Sequence, residues 1–83
     1  MKVAKGEFSV YQFFEDESWE RVREWVDAEE AVKAAHHYCN SVAAKLGITK
    51  RVIITDEGDF TTFEWQYGKG IIYKGDPEDD PGA

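Results

Sequence analysis

Two imidazoles and one thiol lie close together near the middle of the chain, and these side chains are common zinc ligands. At about 100° per residue along a helix, Cys39 falls on the predicted buried face and His37 on the opposite face, with His36 between them. Zinc ligands must converge on one point, and these three diverge. We therefore predict no metal site, and interpret the set as a small buried thiol beside two partly exposed imidazoles.

A second candidate for metal chemistry is the acidic segment Asp56-Glu57-Gly58-Asp59. Carboxylates bind calcium, but an EF-hand loop requires about twelve residues with ligands at fixed positions, and that pattern is absent from the sequence. Gly58 could supply the positive φ of a type I turn with a following bulge. We predict an ordinary solvated hairpin turn.

Aromatic and arginine side chains are the third candidate group, and the chemistry that they suggest is partner binding. Both residue types are enriched at protein interfaces, where arginine also stacks on rings. Strict alternation would place two tryptophans and two arginines on one face of one strand, and two further rings on one face of the preceding strand. The alternative is that about half of the rings, in a set that also includes Trp65 and Tyr67, fill the core over the alanine-rich helix. The predicted interface residues are Tyr11, Phe13, Trp19, Arg21, Arg23 and Trp25.

No catalytic constellation is present in the sequence. It contains no nucleophile elbow, phosphate loop, zinc pattern or dinucleotide fingerprint, and no motif near its serines would activate them. Its strand glutamates fit edge or surface positions better than a buried acid–base role. We therefore predict neither an enzyme nor a cofactor site.

Composition narrows the class of protein further. The chain has 83 residues and a net charge of −7, which predicts one domain and disfavours binding to a phosphate backbone or an anionic membrane surface. The sequence contains no apolar run long enough to span a bilayer. One cysteine cannot form an internal disulfide, so we expect a cytoplasmic protein.

The elements that must position these residues are arranged around one predicted helix, from Asp27 to Gly47. Asp27 is a good N-cap and Glu30 completes a capping-box pattern, while Val26 can pack against Ala31. Gly47 can adopt the left-handed conformation that ends helices. The buried face of this helix is unusually rich in alanine, which leaves room for bulky partners.

The remaining segments read as strands and turns. Phe8 to Phe14 and Trp19 to Val26 form a predicted hairpin before the helix, and Arg51 to Thr55 and Phe60 to Tyr67 form another after it. The predicted fold is therefore α+β, ββαββ, with one helix on a four-stranded antiparallel sheet. A right-handed crossover favours the strand order 2-1-3-4. Ile71 to Tyr73 could extend the sheet or fold over its edge. We predict one domain over residues 1–74 and a disordered acidic tail over residues 75–83.

Part of this layout resembles small bacterial domains of unknown function with hairpin, helix, hairpin order. The resemblance is carried by Asp27-Ala28-Glu29-Glu30-Ala31, by Ala34-Ala35 and by the run from Val52 to Gly58. It covers Val26 to Gly58 and consists of capping and turn chemistry. It implies the fold and no activity or catalytic residue.

One helix can cover only one side of the sheet, whereas the strands place rings on both sides. Because soluble monomers rarely expose wide apolar patches, we expect the second side to be covered, most simply by another copy of the chain. The predicted function is a protein–protein interaction module acting as a homodimer, with another protein as the alternative partner. A small-molecule binding domain and an acidic decoy of a basic partner are the other hypotheses.

Overall fold

The computed structural model describes residues 6–58 and 60–73. Its elements are β1 (Phe8–Phe14), β2 (Trp19–Val26), α1 (Ala28–Cys39), α2 (Val42–Lys45), β3 (Thr49–Thr55), β4 (Thr61–Gln66) and β5 (Gly70–Tyr73). The strands form one antiparallel sheet in the order β2-β1-β3-β4-β5, with α1 packed on it. The predicted α+β class and the predicted order of the first four strands are confirmed. The predicted tail over residues 75–83 lies outside the described residues.

The sheet has five strands, so the predicted number of four is wrong. The extra strand, β5, depends on a tight connection in which Gly68 has a φ of +85° and Gly70 a φ of +79°. Glycine adopts these left-handed conformations without the steric cost that a side chain would incur. The connection returns the chain beside β4, so that Ile71 pairs with Trp65.

Helix α1 begins as predicted but ends earlier. The Asp27 carboxylate accepts a hydrogen bond from the Glu30 backbone N–H at 2.8 Å. The Glu30 side chain does not complete the capping box, because it pairs with Arg23 instead. The predicted single helix to Gly47 is wrong, since α1 ends at Cys39 and α2 is a separate four-residue turn of helix.

The break between the helices has a local cause. Asn40 Nδ2 donates to the His36 carbonyl at 2.8 Å, and Ser41 Oγ donates to the Tyr38 carbonyl and accepts from the Ala44 N–H. Such side-chain bonds to the backbone compete with the helical ladder. As a result Val42 and Leu46, which a continuous helix would bury, are 72% and 67% exposed.

Small residues on α1 allow it to lie close to the sheet. Ala31, Ala34 and Ala35 are buried in one cluster with Val10, Val52 and Ile54, and α1 contacts β1, β2 and β3. A helix is about 10 Å wide, whereas five strands span about 24 Å. One helix therefore covers only part of one side of the sheet.

Residues 6–58 and 60–73 include no helix with the length and hydropathy that a bilayer crossing requires.

Candidate functional site

The side of the sheet opposite α1, here called the open face, carries a cluster of rings on its central strands. Tyr11 and Phe13 on β1 pair with Ile53 and Arg51 on β3. Directly paired residues share a face of the sheet. The same rule places two residues of β2 on this face, because Arg21 pairs with Tyr11 and Trp19 with Phe13.

The rings of the open face form a shallow apolar groove. The Tyr11 and Trp19 rings lie 5.7 Å apart in an edge-to-face arrangement, which is a favoured geometry for aromatic pairs. The groove has a volume of about 180 Å³ and its walls are Tyr11, Phe13, Trp19, Ile53 and Thr55. Trp19 forms its exposed rim, with 57% of its surface accessible.

Two arginines lie over these rings. The guanidinium carbon of Arg21 is 5.5 Å from the Tyr11 ring centroid, and that of Arg51 is 4.8 Å from the Phe13 centroid. Each arginine also has a carboxylate partner: Arg21 lies 2.8 Å from Glu24, and Arg51 lies 2.9 Å from Glu64. Each of these two ion pairs is neutral overall, although the whole chain is strongly acidic.

The structure brings together four of the six predicted interface residues, Tyr11, Phe13, Trp19 and Arg21, and separates the other two. Register shifts in the β1–β2 pairing, one on each side of Val10, interrupt the alternation that the prediction assumed. Arg23 leaves the open face: its Nε donates to Glu30 on α1 at 3.2 Å and its Nη1 to the Val22 carbonyl. The hydrogen bond with Glu30 raises the pKa of Arg23.

Trp25 lies at the register shift between Phe8 and Val10, with a φ of +55°. The backbone N–H of Trp25 donates to the Ser9 hydroxyl oxygen, with the nitrogen and the oxygen 3.4 Å apart, and its backbone carbonyl accepts from the Gly6 N–H. Its side chain is 44% exposed and borders an open recess with Phe8 and Ala28. Trp25 is thus an exposed ring at one end of the sheet, apart from the groove.

Sequence reasoning missed the contribution of β3 and β4 to the open face. Arg51, Ile53 and Thr55 alternate along β3, and Gln66 donates to the Glu64 carboxylate at 2.8 Å. The alternation is visible in the sequence. It becomes informative only when the pairing register shows that these residues lie opposite Tyr11 and Phe13.

Among the described candidate metal ligands, His36 and Cys39 border one recess at the end of α1, and His37 does not. Within the two described ranges, no three His, Cys, Asp or Glu side chains are arranged to hold a metal ion. Burial raises the pKa of the Cys39 thiol to about 11, so the thiolate that binds metals is disfavoured.

The Asp56 carboxylate forms hydrogen bonds within the acidic turn. Asp56 accepts hydrogen bonds from the Gly58 and Phe60 N–H groups. The predicted positive φ at Gly58 is wrong, because this carboxylate, rather than a left-handed glycine, closes the turn.

Comparison with protein-family models, curated proteins and solved structures found no match. The open face is therefore the feature of the molecule that bears on its function. The groove combines aromatic rings and arginines, which are residue types enriched at protein interfaces.

Proposed function

We propose that the protein is an interaction module that forms a homodimer through the open face. The observation that carries the proposal is the groove between Tyr11, Phe13 and Trp19, an aromatic surface on the side of the sheet that α1 leaves uncovered. Rings of this kind supply most of the binding energy in many interfaces.

Charge supports a second copy as the partner. Two chains that each carry −7 repel one another, so contact is least unfavourable where the local charge is balanced. Arg21 with Glu24 and Arg51 with Glu64 provide such a balance. A two-fold interface must also be complementary to itself, and a patch that contains both signs of charge can meet this condition.

The area of the open face sets the expected affinity of the dimer. The five strands have 7, 8, 7, 6 and 4 residues and present roughly 500 Å². Two copies would therefore bury about 1,000 Å², which is at the lower limit for a specific interface. We therefore expect a reversible dimer with a dissociation constant on the order of micromolar.

Light scattering coupled to size-exclusion chromatography tests the proposal. At about 100 µM, well above a micromolar dissociation constant, the wild-type mass should be that of a dimer. Trp19→Asp should shift it to the monomer, because the change places a charge in the apolar groove. The matched control is Phe60→Asp, which makes the same type of change at a ring that is 71% exposed in the β3–β4 turn and should leave the dimer intact. A wild-type chain that is strictly monomeric would overturn the proposal.

A further inference from the structure

We draw no further inference here: the strongest candidate, the open recess beside the first turn of α1 that is lined by Trp25 and by the acidic residues Glu7, Asp27 and Glu57, is an acidic cluster at a helix N-terminus, and no second feature of the described residues identifies the ligand that it would bind.

Discussion

The guanidinium carbon of Arg51 lies 4.8 Å from the centroid of the Phe13 ring, while its Nε donates to the Glu64 carboxylate at 2.9 Å. The arginine is therefore held between a ring on β1 and a carboxylate on β4. Because its orientation is already set, little side-chain entropy remains to be lost when a partner covers it. This arrangement gives the open face an ordered polar border beside its groove.

Replacing Arg51 should destabilise the fold modestly. An exposed cation–π contact and a half-exposed ion pair together contribute about 1 kcal/mol, so Arg51→Ala should lower the free energy of unfolding by roughly that amount. Arg51→Lys should retain less than half of this stabilisation, because lysine lacks the planar group that lies over the Phe13 ring. Urea denaturation of the three proteins checks this, and a lysine variant as stable as wild type would contradict it.

Removing the cap of α1 should have a similar cost. Asp27 accepts from the Glu30 N–H at 2.8 Å, and loss of such a cap costs about 1 kcal/mol. We expect Asp27→Ala to lower thermal stability and Asp27→Asn, which retains an accepting oxygen, to lower it much less. Glu29→Ala is the matched control in the first turn. Equal melting temperatures for the alanine and asparagine variants would count against the cap.

One surface substitution should stabilise the protein. Glu17 has a φ of +75° in the β1–β2 turn, a conformation that costs a residue with a side chain about 1–2 kcal/mol. Glycine loses more conformational entropy on folding than glutamate does, and this loss offsets part of the relieved strain. Glu17→Gly should therefore raise the free energy of unfolding by roughly 0.5–1 kcal/mol. The control Glu15→Gly should not stabilise, because Glu15 does not have a positive φ. Chemical denaturation distinguishes the two.

Stability should fall at alkaline pH because of Cys39. Burial raises the pKa of its thiol from 9.0 to about 11. Below pH 9 the thiol is protonated in both the folded and the unfolded chain, and its contribution to the free energy of unfolding is complete. Between pH 9 and pH 11 the unfolded chain loses this proton first, so rising pH favours unfolding. The test compares the urea midpoints of wild type and Cys39→Ala at about pH 7.5 and at about pH 10.5. The difference between the two proteins at each pH isolates the thiol, since other titrating groups affect both proteins equally. A difference that does not change with pH would refute it.

The small residues of α1 should tolerate no enlargement. Ala35 has no exposed surface and lies in the cluster with Val10 and Val52. Overpacking a core position typically costs about 1–3 kcal/mol, so Ala35→Leu should destabilise by that amount, whereas Val32→Leu, at a half-exposed position on the same helix, should not. A stable Ala35→Leu variant would show that the helix can move away from the sheet.

The features that sequence could predict are those determined by neighbouring residues. Asp27 caps α1 with its own carboxylate, and Gly47 has the left-handed conformation, φ +83°, that its position after Leu46 predicts. Alternating apolar residues also locate the strands, because the sheet period is two. These features depend on chain segments of a few residues, where local physics decides the outcome.

The features that sequence could not predict depend on competition or on register. Asn40 and Ser41 interrupt the helix by bonding to backbone carbonyls, although the apolar periodicity continues past them. The register shift between Val10 and Tyr11 falls at Val22 on β2 and turns Arg23 toward Glu30. Arg23 therefore lies on the α1 side of the sheet, whereas strict alternation places it on the open face. Arg51 joins the open face only because its strand pairs with β1 in the observed register.

The most direct test of the proposed dimer is an isotope-filtered NOE experiment on a mixture of labelled and unlabelled chains. If two open faces meet, intermolecular NOEs should connect the Trp19 and Tyr11 rings with Ile53 and Thr55, and Trp19→Asp should remove them. Such contacts require protons within about 5 Å, the separation at which side chains pack. Intermolecular NOEs confined to the α1 side of the sheet, or none at protein concentrations of about 1 mM, would contradict it.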